Sequence, residues 1–591
     1  MKSRFLITTA DERSWEMDRP AIFLGEWCCR PNRKEVWGAM DAEIAPPFYP
    51  DLKTRMEYAN ESNQLHDEII NNLTFYFNQI HNRSYDNRFW KILVGPFLTR
   101  YIRIVMNRYL TLEQCFNKYS VDQTIHLVSK NDLFPFDTLS LINLSENDFW
   151  NHELYIWLIK DFFSSELEIK PKQIEQVVNN KVDFTRSSIG QSNTLIKRFS
   201  KGIIFKIDSL LSRMNGDKCC FLYKTYLSRP TDILLSIYLK QIPCKWSVPE
   251  FDDTGQYDHA IVRKPFSGII SKKTKRYHYA LEKYLHRIIP EVFLEKFTIF
   301  ERYCDNLSWP KSPQFIFTGN AYDCDEAFKL WTAKKVNVGI RYMVAQPGAS
   351  YGVNPFFLKK VEEETADRFI TWGWKREENH TPGFCITTAG QRYIKVNESG
   401  GLLFIQIMLR RKKFIWDVHP EYNIYINNQI DFLNDLHADI LKASTVRLHA
   451  DYYRSHGDEY NIFVSNFPNI RIDTGSKRIF KIIKKFRLFV LSYDSTGLLE
   501  MLNMNIPVVA FWDRNGFDQI SPAALKYYDQ LIKVGILHFS PKSASMHVNR
   551  IWKDVGSWWK SDEVQIVRKL FCYQFAAIEQ RPVKRLAKLL F

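Results

Sequence analysis

The stretch RLFVLSYDSTGLLEMLNMNIPVVAFW, Arg487 to Trp512, leaves this chain little choice of fold. Leu488 to Leu491 are apolar and partly β-branched, which predicts a strand. Tyr493-Asp494-Ser495-Thr496-Gly497 predicts a tight polar turn, and Leu498, Leu499, Met501 and Leu502 suit a short helix. Pro507 with Val508, Val509 and Ala510 then opens a second strand. Strand, helix and strand in so few residues make a βαβ unit, and such units build parallel sheets covered by helices. The small hydroxyl residues fall where the helix begins. A helix start carries unpaired N–H groups and partial positive charge. Asp494, Ser495 and Thr496 therefore either cap their own helix, the ordinary role, or hold a phosphate there.

The remainder of the chain supplies more of the same pattern. Phe5 to Thr8 reads as a buried first strand, followed by a polar turn at Thr9 to Glu12. Ala21 to Leu24 is a second strand, ending in Gly25-Glu26-Trp27-Cys28. Residues 55–80 form one amphipathic helix, with Leu65, Ile69, Leu73, Tyr76 and Ile80 near a 3.6 period. A polar and aromatic knot from His81 to Trp90 precedes another helix, roughly Phe97 to Leu110. Residues 120–310 read as a mainly helical elaboration, and Lys170 to Asn193 as a polar surface insertion. Strand signals resume at Phe315–Thr318 and Gly339–Val344, on either side of a helix from Asp325 to Lys334. After Phe369–Trp374, the polar stretch Lys375–Thr381 reads as an interdomain connection. Further strands are expected at Leu402–Met408, Ser444–Leu448, Phe486–Leu491, Val508–Phe511 and Ile536–Phe539. At 591 residues the chain exceeds one ordinary core. Two αβ domains in series are expected: 1–375, carrying the helical elaboration, and 376–591.

Composition removes several function classes. Hydrophobic residues at 45% and aromatics at 15% exclude a disordered chain. No segment reaches the roughly 18 uncharged apolar residues of a membrane helix, and RFLITTADERSW lacks the apolar core of a signal peptide. Ten cysteines show no zinc or disulfide spacing, which fits a reduced cytoplasmic setting. The formal charge of +15 comes without an arginine-rich arm or an RNA-binding signature, so nucleic acid is not the expected partner. An anionic substrate or the anionic inner membrane surface accounts for it better. The densest clusters are Lys477 to Lys485 and Arg410 to Lys413, and a solvated face is their default reading.

Seven segments in this order resemble a family of transferases of bacterial surface-polysaccharide and O-antigen biosynthesis. They are ITTADERSW (7–15), FLGEWC (23–28), IHNRSYDNRFWKILVGPFL (80–98), IFTGNAYDCDEAFKLWTAKKVNVG (316–339), ITWGW (370–374), DSTGLLEML (494–502) and the WW pair at 558–559. The resemblance implies a GT-B-like α/β fold, two Rossmann-like domains facing a cleft. It implies a glycosyltransferase taking a nucleotide-activated sugar, a CMP-nonulosonate or CMP-Kdo, to a glycan or lipid-linked glycan acceptor. It also implies that Ser495 and Thr496 stand against the donor phosphate. One departure matters: relatives carry His-Gly-Gly-x-Tyr-Gly where this chain has Pro347-Gly348-Ala349-Ser350-Tyr351-Gly352. The imidazole is gone, while Gly348, Tyr351 and Gly352 remain as donor-side candidates whose backbone groups can hold an anion.

Glycosyl transfer needs a base for the acceptor hydroxyl and donors for the departing phosphate. On the donor side Arg447 and His449 lie two apart on an expected strand and share a face, and Glu500 one turn into the helix can reach a ribose. With Asp494, these complete the donor set. For base work Glu26 is preferred over Asp11, with His81 behind both; a capping histidine is the plainer reading of His81. Trp27, Tyr85 and Arg88 are the acceptor-binding candidates. Asp323 and Asp325 have metal-ligand spacing but read as the cap of the following helix, so metal-independent transfer without a cofactor is expected. Two other functions stay open: a CDP-glycerol-type polymer phosphotransferase, and a scaffold of the assembly machinery that has lost activity.

Overall fold

The computed structural model describes residues 3–129, 133–163, 167–174, 206–249, 251, 263–357, 360–391, 396–452, 458–513 and 520–591. The chain divides into two units. Unit 1 comprises 1–225, 239–344 and 359–367; unit 2 comprises 226–238, 345–358 and 368–591.

Unit 1 opens with five parallel strands: β1 (Arg4–Ile7), β2 (Ala21–Phe23), β3 (Ala42–Ile44), β4 (Val121–Val128) and β5 (Glu168–Gln173). Their order is β3-β2-β1-β4-β5, so the sheet grows outward both ways from β1 and β4. β6 (Phe221–Tyr223), β7 (Phe315–Thr318) and β8 (Arg341–Ala345) pair in parallel in that order. Between β3 and β4 run two long helices, Leu52–His81 and Asn87–Lys118. Asp51 and Asp86 cap their first turns, accepting from Thr54 N and Phe89 N. The break between them is Asn82, left-handed at φ 49°, a conformation asparagine tolerates well. The helix Glu326–Asn337 is capped by Asp325, as its sequence predicts.

In unit 2, β9 (Arg368–Thr371) pairs in parallel with β10 (His380–Pro382), which occupies the end of the stretch expected as a polar connection. The main sheet holds β11 (Gly401–Ile405), β12 (Ser444–Arg447), β13 (Arg471–Asp473), β14 (Phe486–Leu491), β15 (Val508–Phe511) and β16 (Leu537–His538). All six are parallel, in the order β13-β12-β11-β14-β15-β16. That is the doubly wound dinucleotide-fold order, and the expected α/β class with Rossmann-like sheets stands. Leu402, Phe404, Val446, Leu488, Val490, Val509 and Phe511 form its core, each all but excluded from water.

One expectation needs correction. The segment 120–310 is not merely helical, because β4, β5 and β6 lie in it. β4 reads VDQTIHLV, in which Asp122, Gln123, Thr124 and His126 break up the apolar pattern. β5 reads EIKPKQ and is almost wholly polar, so no hydrophobic pattern announces it. β5 also takes the start of the polar stretch expected as an insertion; 175–193 lies outside the described residues.

Candidate functional site

In a doubly wound sheet, ligands bind beyond the strand C-termini where the order reverses. In unit 2 that place lies between β11 and β14, and Asp494-Ser495-Thr496 follow β14 directly. The turn is followed by the helix Thr496–Asn503, whose apolar side (Leu498, Leu499, Met501, Leu502) is buried. Ser495 is its N-cap, with Oγ accepting from Leu498 N at 3.2 Å. The capping role is therefore real for Ser495. Thr496 does something else: its Oγ1 accepts the N–H of Ala349 at 3.0 Å, across 147 residues of sequence. The N–H groups of Thr496 and Gly497, at the open end of the helix, have no partner among the described residues.

The Ala349 loop is built for this contact. A Cβ on Gly348 would stand 2.4 Å from Thr496 Oγ1, so only glycine permits the approach. Gln346, fully buried, shapes the loop from behind. Its Nε2 donates to Gly348 O at 2.8 Å. Its Oε1 accepts from Trp372 N and from Trp374 Nε1, both at 2.9 Å. Its carbonyl accepts from Trp372 Nε1, also at 2.9 Å. Tyr351 is buried and stacks on Phe369 at 5.6 Å. Gly352, left-handed at φ +72°, lies against the Trp374 indole. The structure thus brings Gly348 to Thr496, while Tyr351 and Gly352 anchor the loop from its other side.

Asp494 completes this corner. Its Oδ2 accepts from Tyr528 Oη at 3.2 Å, while its Oδ1 is buried with no hydrogen-bond partner among the described residues. Burial pushes its carboxyl up to about 6, against the opposing Tyr528 and Ser495 bonds. Glu500, also raised by burial, is held by the Thr387 hydroxyl. The floor between β11 and β14 is closed by Tyr425, whose hydroxyl lies 3.2 Å from Gln406 Oε1, 3.1 Å from Ser492 Oγ and 3.1 Å from Ile407 N. Beside it His419 faces the Tyr493 ring at 6.1 Å, its imidazole pushed down to about 4 by burial and then by Lys413.

The other donor candidates lie apart from this corner. β12 ends at Arg447, whose guanidinium is spent on Asp473 and on the carbonyls of Gly475 and Lys477. His449 is past the strand end and exposed, its Nδ1 accepting from Asp451 N at 3.1 Å; the expected shared strand face does not form. Of the basic clusters, Lys477, Arg478, Lys481, Lys484 and Lys485 are exposed as expected. Lys412 and Arg411 are not on a solvated face: they are 3% and 9% exposed.

In unit 1, β1 and β2 pair in parallel, which puts Asp11 and Glu26 at the same sheet edge. Burial pushes the Asp11 carboxyl up, but the Arg13 hydrogen bonds outweigh it and hold it below its ordinary value. A carboxylate so held makes a poor base. Glu26 starts the 3₁₀ turn Glu26–Cys28 and is partly exposed. Trp27 is corrected: its indole folds over Gly25, donates to Thr8 O at 3.4 Å and stacks on Tyr155 at 6.2 Å, leaving 5% exposed. No sugar reaches that ring in this arrangement.

His81 is a core residue, neither base nor cap. Its Nε2 lies 3.0 Å from Phe293 O and its ring stacks on Phe297 at 4.2 Å. Tyr85 donates to Glu301 Oε1 at 2.8 Å, and burial followed by that bond raises its phenol. Arg88 is paired with Asp367 at 2.7 Å and with the carbonyl of Thr365. These three hold the helix joint together: His81, the third base candidate, and Tyr85 and Arg88, the acceptor candidates, all spend their polar groups within unit 1. Asp323 pairs with Arg100 at 2.6 Å and Asp325 caps its helix, which leaves neither arranged as a metal ligand. Sequence reasoning missed Gln346, Tyr425 and His419. Only Gln346 carried a signal, a lone amide closing an apolar run before Pro-Gly.

Among solved structures, the chain is similar to a variant of the wall teichoic acid polymerase TagF with CDPG at 11% identity, covering 67% of this chain and 98% of that one with a TM-score of 0.32. It is similar to Staphylococcus aureus MnaA with UDP at 12% identity, 63% and 95% coverage and a TM-score of 0.34. Acinetobacter baumannii MurG gives 10% identity, 63% and 99% coverage and a TM-score of 0.29. These are remote likenesses. No curated protein matches the chain. Its sequence matches a family model over residues 4–590, nearly its whole length: the chain belongs to the LIC12162 family of transferases and is an enzyme of that family.

Proposed function

We propose that this transferase is a glycosyltransferase of surface-polysaccharide assembly, taking a sugar from a nucleotide-activated donor bound in unit 2. The observation that supports it most is the corner where Thr496 meets Ala349 beside the unsatisfied Asp494 Oδ1. The free N–H groups of Thr496 and Gly497 and the positive end of their helix suit the donor phosphate as its charge grows on leaving. Asp494 suits a donor hydroxyl, which would satisfy its Oδ1. A CMP-linked 2-keto acid sugar is the proposed donor, a surface glycan the acceptor, and Glu26 the base in unit 1. Arg13 holds Asp11 in its carboxylate form too firmly for that task.

Calorimetry of the full chain with CMP, CDP, UDP and GDP tests the donor, followed by product analysis with the matching activated sugar. CMP is expected to bind and a glycosidic product to form; a phosphoalcohol polymer would assign a CDP-glycerol-type phosphotransferase instead. Replacing Ser495→Ala and Thr496→Ala together is expected to weaken donor binding roughly 10- to 100-fold, as charge-assisted phosphate contacts and the loop contact are lost. Unchanged affinity and turnover in that double variant would remove the phosphate from this helix.

A further inference from the structure

The helix Arg229–Tyr238 of unit 2 is inside out. Its buried side is Thr231, Leu235 and Ser236. Its outward side carries Ile233, Leu234, Ile237 and Tyr238, which are 36%, 56%, 57% and 53% exposed. Surface helices ordinarily bury the apolar stripe and show the polar one. The inward polar face is firmly docked: Thr231 Oγ1 lies 2.7 Å from Ser228 Oγ and donates to Ala389 O at 3.2 Å. Gly390, at φ +73°, leaves room for that hydroxyl. Helix rotation to hide the apolar side would break these bonds, so the exposure is fixed by the fold.

The surroundings say what covers it. The helix packs against Pro582–Leu590, also in unit 2. That second helix and its entry present Arg581, Lys584 and Lys588 to solvent, and Arg229 begins the first helix, exposed as well. None of these four cations has a carboxylate partner among the described residues. An exposed apolar strip on one helix, with unpaired cations at its start and on the helix packed against it, is the composition of a segment lying in the headgroup region of a bilayer, with aliphatic side chains at the acyl boundary and cations against lipid phosphates. No helix among the described residues is long and apolar enough to cross a membrane, so the contact is peripheral in kind.

We propose that the Arg229–Tyr238 helix, with the cationic rim of Pro582–Leu590, docks this protein on an anionic lipid bilayer. Vesicle flotation of the full chain tests it. Wild type is expected to float with phosphatidylglycerol-containing vesicles and to stay behind with pure phosphatidylcholine, with binding falling as salt rises. Leu234→Asp with Ile237→Asp is expected to cut the bound fraction at least tenfold, and Lys584→Glu with Lys588→Glu to do likewise. All four positions are outward, so the thermal midpoint should be kept; a variant that melts early is replaced by Leu234→Ser with Ile237→Ser. Equal flotation of wild type and both variants overturns the proposal. So does a wild-type dimer, without vesicle binding, that Leu234→Asp with Ile237→Asp turns into monomer, because the strip then belongs to a second copy.

Discussion

Asp494 shows how much chemistry one residue can carry past what its sequence position suggests. The turn that holds it was legible, and so was the capping role of Ser495, because both depend on neighbours within four residues. The partner of Thr496 was not, since Ala349 lies 147 residues away and nothing local encodes that distance. The orphan Oδ1 was equally out of reach: burial is a property of the assembled sheet. It has a measurable consequence. A carboxyl raised to about 6 in the folded chain, against about 4 when unfolded, binds more protons folded than unfolded between those values. Stability therefore falls as pH rises from about 4 to about 6 and levels off above. Asp494→Asn is expected to remove that slope and to stabilise the protein at about pH 7.5 by about 1–2 kcal/mol, read by denaturant titration at several pH values.

At the scale of elements, the strands around the site were readable, whereas the helix expected at Phe97–Leu110 runs from Asn87 to Lys118. Phe486–Leu491 and Val508–Phe511 form as their sequence predicts. β5 escaped because a strand of EIKPKQ is held by its neighbour's backbone rather than by apolar side chains. The helix joint at 81–90 misled for the opposite reason: its polar, aromatic composition resembles a binding site, yet it is packing material. Glu301, 5% exposed, is its keystone, accepting from Arg83 at 2.5 Å and from Tyr85 at 2.8 Å. Burial raises its carboxyl, and Arg83 and Tyr85 more than reverse this, so its stabilisation is present at neutral pH and lost only as pH falls below the usual carboxylate range. Glu301→Gln is expected to cost about 2 kcal/mol, the partly exposed Arg83 being partly screened, and to lower the melting temperature by a few degrees. Activity per folded molecule should be unchanged; a loss of turnover at full stability would return this joint to the site.

For the whole molecule, the βαβ pattern led to two αβ units but could not foresee how the chain distributes itself between them. Unit 2 is assembled from 226–238, 345–358 and 368–591, and the first two pieces supply the inside-out helix and the loop that meets Thr496. A fragment of residues 368–591 alone keeps the six-stranded sheet and loses both. It is expected to show a broad, low-temperature transition in calorimetry where the full chain shows a sharp one; a sharp transition near that of the full chain would mean the two pieces are dispensable. The same interleaving sets a timetable on the ribosome. The Arg229–Tyr238 helix is made about 350 residues ahead of its packing partner Pro582–Leu590. At roughly 5–20 residues per second the wait is on the order of half a minute. For that time the part of the helix that packs on Pro582–Leu590 is bare in the nascent chain, which gives a chaperone, or the bilayer itself, time to act on it.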